Sequence, residues 1–259
     1  MATLTHESLF YPESRFGGFT AVDGTIAFYT RVQSLLTPFA LVLDFGCGRG
    51  AHEEDDVGLR RELRIMQGHC EKVCGVDVDP AASGNPFIDE FRQLSPGAQV
   101  PYAEATFDLI LADCVVEHLS DPAAFFREMQ RLLKPGGHLC LRTSNRWSYV
   151  GMASWLIPNA LHTRVLGRVQ ANRADCDVFP TLYRANSVWS LRRWLSRHGF
   201  EHAVYGHESE PRYLEFSRVA YSLGVLHQRL APGFLRPALF AFARKPLTTP
   251  NASLAHPTP

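Results

Sequence analysis

The feature that most constrains this chain is the stretch Val42-Leu43-Asp44-Phe45-Gly46-Cys47-Gly48-Arg49-Gly50. An apolar run over 41–43 reads as a buried strand. It meets an acid and then glycines on alternate positions. Strand, tight turn and following helix are the parts of a nucleotide-binding crossover. Glycine permits positive φ and lets backbone approach a ligand closely, where a Cβ would intervene. Such a loop needs support from further strands with polar ends.

Two more apolar runs end in an acid, Val73-Cys74-Gly75-Val76-Asp77 and Phe107-Asp108-Leu109-Ile110-Leu111-Ala112-Asp113. Asp23 precedes a helical pattern of Ile26, Tyr29, Val32 and Leu36, and 57–68 carries Leu59, Leu63 and Met66 at helical spacing. Asp121 caps and Pro122 opens a helix with Phe125, Phe126, Met129 and Leu132 on one face. Lys134 suits its C-terminal dipole and Pro135-Gly136-Gly137 stops it. Strands are expected over 138–142, 203–205 and 238–243, with a short third strand within 96–105. A short helix is expected over 87–94, another after Asn186 or Ser187, and a long one over 213–230. This alternation predicts an α/β fold: a Rossmann-like, seven-stranded, mostly parallel sheet with helices on both faces.

Segment 145–183 interrupts the alternation with Trp147, Tyr149, Met152, Trp155 and Leu156, broken by Pro158. A lid-like helical insertion over a pocket and an extra packed helix pair both fit. The expected organisation is a flap and helix over 1–38, a main domain over 39–246 that contains the insertion, and a disordered tail over 247–259.

With 259 residues, 46% of them hydrophobic and 20% charged, the chain is long enough for one sizeable α/β domain. Its net charge of +0 lacks the basic surplus of a nucleic-acid binder. The cysteines form no C-x-x-C pair, so buried or reduced thiols are expected, and no metal site. There is no charged-then-apolar leader and no apolar run long enough to span a bilayer; the reading is a soluble, cytoplasmic protein. Within 213–230, Leu214, Val219, Leu223 and Leu226 stand with Arg218 and Arg229. That helix fits either packed core or peripheral contact with a membrane surface.

Ligands of open α/β sheets lie beyond the carboxyl ends of the strands. Asp77 stands where a carboxylate can accept hydrogen bonds from both hydroxyls of a ribose. The loop is G-x-G-x-G rather than the G-x-G-x-x-G of a nicotinamide enzyme. Glu53, Glu54, Asp55 and Asp56 downstream are a poor setting for a diphosphate and a tolerable one for a cationic ligand without phosphates.

These residues resemble the class I S-adenosylmethionine-dependent methyltransferases of the small-molecule branch. Leu43-Asp44-Phe45-Gly46-Cys47-Gly48-Arg49-Gly50 resembles their first motif and Gly75-Val76-Asp77-Val78-Asp79 their acidic second-strand motif. Phe107-Asp108-Leu109-Ile110, followed by Val116-Glu117-His118-Leu119 and Asp121-Pro122, is similar to the fourth-strand motif. Leu133-Lys134-Pro135-Gly136-Gly137 is similar to the motif before the fifth strand. The resemblance implies S-adenosylmethionine as cofactor, with Gly46, Cys47 and Gly48 beneath its methionine and ribose. It implies Asp44 holding the loop or the ammonium, Asp77 on the ribose hydroxyls and Val78 against the adenine. Asp113 and Cys114 would lie beside the methionine moiety or the methyl group. Members often carry a polar residue after the third strand, and 95–102 offers no acid here.

Methyl transfer from a sulfonium demands alignment, and a hydroxyl acceptor must also lose a proton. His118 is the general-base candidate; Glu117 is the alternative, acting itself or holding a metal with His118. Trp147, Tyr149, Tyr183 and Arg184 are expected at the acceptor, a small organic, glycan or lipid-linked molecule with oxygen favoured. A non-catalytic cofactor binder of the same fold remains open. A nicotinamide-dependent oxidoreductase is disfavoured by the loop spacing.

Overall fold

The computed structural model describes residues 5–95, 97–156 and 180–247. Seven strands join in one sheet: β1 (Leu41–Phe45), β2 (Lys72–Asp77), β3 (Glu90–Gln93), β4 (Phe107–Asp113), β5 (Leu133–Ser144), β6 (Glu201–His207) and β7 (Ala238–Arg244). Their order is β3-β2-β1-β4-β5-β7-β6. The first five run parallel, and β7 lies antiparallel between β5 and β6. Strand order reverses between β1 and β4, so the connections diverge there and open a crevice at the carboxyl ends.

The described helices are α1 (His6–Phe10), α2 (Gly24–Leu35), α3 (Gly58–Arg64), α4 (Pro122–Leu132), α5 (Tyr149–Leu156), α6 (Val188–Arg197) and α7 (Arg218–Leu230). Side chains alternate across each strand, so the central strands feed two cores. Leu43, Ile110, Leu139 and Leu141 pack with Phe126 and Met129 of α4 and Leu191 and Leu195 of α6. Val42, Leu109, Leu111 and Cys140 pack with Phe28, Tyr29 and Val32 of α2. Each large side chain buried this way contributes about 1.5–3 kcal/mol before ordering costs. Asp23 fixes the start of α2 by accepting from the amides of Thr25 (2.9 Å) and Ile26 (3.0 Å). Asp121 does the same for α4 through the Ala124 amide at 3.0 Å.

Several sequence expectations are corrected. The helix expected over 87–94 is replaced by strand β3, which also supplants the third strand sought within 96–105. Eight residues are too few to sustain a helix alone, whereas Glu90 on this edge strand is held by Lys72, Arg92 and the Tyr102 hydroxyl. Strand β5 begins at Leu133, before the Pro-Gly-Gly turn, and the register slips between Phe107 and Leu109 to absorb it. Lys134 therefore serves no helix end; it donates to Asp108 at 2.7 Å. Strand β6 spans seven residues rather than three. Ser187, not Asn186, caps α6. The long helix expected from 213 starts at Arg218, because Ser217 caps it and a 3-10 turn, Arg212–Leu214, precedes. Residues 157–179, with the Pro158 break and Cys176, and all of the expected tail except Leu247, lie outside the described residues.

Candidate functional site

The crevice between β1 and β4 gathers the polar strand ends. Gly46 (φ 74°) and Gly48 (φ 57°) have left-handed backbone, and the amides of Gly46 and Cys47 donate to the Val76 carbonyl at 2.7 and 3.2 Å. The loop is thereby folded back onto β2. Asn85 clamps it from outside, its amide donating to the carbonyls of Cys47 (3.0 Å) and Gly48 (3.2 Å). A Cβ on Gly46 would sit 2.5 Å from Val115 Cγ2. A Cβ on Gly48 would meet nothing within 4 Å, so the loop faces open space there.

Asp77 lies at the end of β2 beside that space. One carboxylate oxygen accepts from the Gly48 amide and the other from the Asp79 amide, both at 2.9 Å. Each oxygen keeps a further lone pair for a ligand hydroxyl. Val78 is exposed at the same edge.

Asp44 and Asp113 end β1 and β4. Their fates differ. Asp113 is saturated: Arg142 donates to it through Nε (2.6 Å) and Nη2 (2.5 Å), and the Tyr29 hydroxyl adds a bond at 2.9 Å. Arg64 approaches at 3.7 Å, and Arg142 also reaches the Thr25 hydroxyl at 2.9 Å. Burial works against the charge, but the Arg142 guanidinium overrides it and pulls the Asp113 carboxyl down to about 2. Asp44 makes no hydrogen bond or ion pair among the described residues. Burial, reinforced by the neighbouring charges of Asp113 and Asp77 and only partly offset by Arg64, pushes it up to about 7. It is the one strand-end carboxylate of the three left wanting a cationic or donor partner. His52, next to this cluster, is pushed down to about 4 by burial and by Arg64. Cys114 follows with a left-handed backbone (φ 58°); the residue is exposed, and its thiol donates to Asp113 Oδ1 at 3.4 Å.

A second polar group lies on the other side of β4. Glu117 is buried; it accepts from the hydroxyls of Thr143 (2.6 Å) and Ser144 (3.3 Å). Asn186, also buried, donates to Thr143 Oγ1 at 2.7 Å. The returning strand of chain at 180–184 is tied to this loop. The amides of Leu182 (2.7 Å) and Tyr183 (3.2 Å) donate to the Glu117 carbonyl, and Arg184 donates to the Ser120 carbonyl at 2.8 Å. His118 donates through Nδ1 to the Pro180 carbonyl at 3.0 Å. Each oxygen of the Glu117 carboxylate thus takes one hydroxyl donor from β5, which ties it to that strand. No metal-binding cluster occurs among the described residues.

The aromatic candidates are scattered more widely. Trp147 is exposed under the Arg146 guanidinium, which sits 5.2 Å from its ring. Tyr149 packs edge-on against His227 at 5.2 Å, on the side of α7. Tyr183 (φ 51°) and Arg184 border the loop of His118. Sequence reasoning missed Arg142, Arg64, Tyr29 and Asn85. A signal existed for the first: Arg142 closes an otherwise apolar strand in register with Asp113.

A family model described as a methyltransferase domain matches residues 27–203, about two thirds of the chain. The ubiquinone biosynthesis O-methyltransferase of Pseudomonas aeruginosa (strain LESB58) is 32% identical over 116 residues, 40% of this chain and 44% of the relative. The Pseudomonas putida (strain W619) protein of the same name is 30% identical over the same length. The chain thus spans less than half the length of these relatives. Among solved structures, the [4+2]-cyclase SpnF superposes with a TM-score of 0.53 at 18% identity, covering 86% of this chain and 81% of that one. The geranyl diphosphate C-methyltransferase from Streptomyces coelicolor A3(2) gives 0.51 at 16% identity, covering 85% and 74%. Both share the fold.

Proposed function

The chain belongs to the methyltransferase-domain family, and from that premise we propose that it methylates a small organic, glycan or lipid-linked acceptor, with oxygen the favoured nucleophile and S-adenosylmethionine the donor. The observation that carries the reading is the Asp44–Gly48–Asp77 edge: open space over Gly48, spare lone pairs on Asp77 and an unpartnered carboxylate on Asp44. These fit a nucleoside with two hydroxyls and a cationic tail. Asp77 would hold the ribose hydroxyls and Val78 would lie against the adenine. The backbone of Gly46, Cys47 and Gly48 would run beneath the ribose and methionine, and Asp44 would take the ammonium. Asp113 would act beside the methionine end as a fixed charge in its pair with Arg142, with Cys114 at the rim.

When bound, S-adenosylmethionine supplies a methyl group already activated on a sulfonium, so the protein's tasks are alignment and proton removal. His118 suits the second task. Because a carbonyl can only accept, the bond to Pro180 puts a ring proton on Nδ1, so in the neutral ring Nε2 is the basic nitrogen. Glu117 would then serve by holding the loop and the 180–184 segment together. Trp147, Tyr149, Tyr183 and Arg184 would border the acceptor. The relatives' name, ubiquinone biosynthesis O-methyltransferase, supports an aromatic hydroxyl as a first acceptor class to try.

The test is transfer of a labelled methyl group from S-adenosylmethionine into fractionated metabolites, phenolic and lipid-linked acceptors first. Label in a small-molecule fraction, lost on Asp77→Ala, is the expected result. Binding of S-adenosylmethionine without transfer to any fraction would instead favour the non-catalytic binder.

A further inference from the structure

Helix α7 has two apolar faces. One packs inward, where Tyr221 and Val225 meet Tyr11, Phe10 and Val22. The other carries Val219, Leu223, Leu226 and Leu230, spaced three and four residues apart, with Phe216 just ahead of the helix, and every one of the five is at least half exposed. At about 100° per residue, the four helical residues line a single stripe, and Arg218 and Arg229 lie together on one flank of it, about 100° from its centre. From Phe216 to Arg236 the sequence contains no Asp or Glu. Four residues past Leu230, the exposed Phe234 ring packs on the exposed Trp189 at 5.4 Å.

A stripe of large apolar side chains on a surface helix requires an occupant. A second copy of the chain is a poor one. Five side chains fall well short of the roughly 20–30 residues per partner of a stable interface, and two-fold pairing of the stripe would bring like-charged arginines together. A bilayer face meets both features. Aliphatic and aromatic tips enter the acyl boundary while arginines on the flank reach up to phosphates, as long cationic side chains do. We propose that α7 docks the protein on an anionic phospholipid surface, with Phe216, Val219, Leu223, Leu226 and Leu230 inserted and Arg218 and Arg229 on lipid phosphates. None of the stripe residues or flanking arginines is among those placed at the cofactor, so docking and cofactor binding are separable by mutation.

The test is co-sedimentation of the full chain with phosphatidylcholine vesicles with and without phosphatidylglycerol, at low and high salt. Binding is expected to the anionic vesicles and to weaken with salt. Leu223→Glu/Leu226→Glu should lower the partition coefficient at least tenfold, and Arg218→Glu/Arg229→Glu about tenfold or more, since each basic residue near such a surface is worth a several-fold change. Circular dichroism and S-adenosylhomocysteine affinity should match the unaltered protein for both pairs. The arginine pair leaves the apolar contacts untouched should the leucine pair misfold. No vesicle binding by the unaltered chain, binding indifferent to both pairs, or a dimer in light scattering that Leu223→Glu/Leu226→Glu dissolves would each overturn the proposal.

Discussion

Arg142 grips both oxygens of Asp113 across neighbouring strands, at 2.6 and 2.5 Å, from directly registered positions on β5 and β4. Both side chains are largely buried. Removing one partner of such a pair leaves the other charge stranded. Arg142→Met is therefore expected to destabilise the fold by about 3–5 kcal/mol, read from the denaturation midpoint in urea. Replacing both residues with Met and Leu should recover much of that loss. A double variant no more stable than the single would refute the stranded-charge explanation.

The paired and the unpaired carboxylate titrate in opposite directions. Between about pH 4 and pH 7 the folded chain holds a proton on Asp44 that the unfolded chain has released, so this group's contribution to stability falls as pH rises to 7. In the ligand-free protein, Asp44→Asn should raise Tm at pH 8 and change it little at pH 5. Asp113 acts the other way: its stabilisation is in place above about pH 4 and is lost as pH falls toward 2. Calorimetric scans of both forms at the two pH values check this. A Tm difference equal at pH 5 and pH 8 would count against it.

The glycine loop is tuned to Val115. Gly46→Ala puts a Cβ 2.5 Å from Val115 Cγ2 in left-handed backbone. Overpacking and backbone strain together should cost about 2–5 kcal/mol, with weaker nucleoside binding. Gly46→Ala/Val115→Ala should relieve the packing part and keep the strain. Thermal melts and S-adenosylhomocysteine titrations of the pair separate the two contributions.

Glu117 and His118 are adjacent in sequence and differ in task. Glu117→Ala strands the buried Thr143 and Asn186 groups and should cost about 1–3 kcal/mol, while Glu117→Gln keeps a hydrogen-bonding partner and most activity. For His118, Asn keeps a donor near Nδ1 for the Pro180 carbonyl and removes the basic nitrogen. If His118 is the base, His118→Asn should lose about 10²–10⁴-fold in rate with unchanged S-adenosylhomocysteine affinity. Full activity in His118→Asn, with loss in His118→Ala, would make His118 a tether.

Much of the fold was legible because apolar strands ending in acids, and helices with caps, announce themselves locally. Asp44, Asp77 and Asp113 were each found at a strand end for that reason. What local patterns cannot carry is which acid is already satisfied. Asp113 resembled Asp44 in sequence, yet Arg142 from another strand and Tyr29 from α2 bond only one of them. The hydroxyls of Thr143 and Ser144 that bond Glu117 come from 26 and 27 residues away, beyond the reach of any local pattern. Strand β3 was read as helix because an edge strand of four residues, with Phe91 its one apolar side chain, has no apolar period of its own. The stripe on α7 was visible as a pattern, but the face turned inward was settled by packing against α1 and its neighbours.

The central claim is that the Gly46–Gly48 loop and Asp77 together hold an S-adenosyl nucleoside. Isothermal titration of S-adenosylhomocysteine into the unaltered protein and Asp77→Ala tests it most directly, with circular dichroism to confirm that both are folded. The expected result is one site per chain, weakened about 100-fold or more in Asp77→Ala, as befits two charge-assisted hydrogen bonds of about 1.5–3 kcal/mol each. No binding by the unaltered protein, or equal affinity in Asp77→Ala, would contradict it.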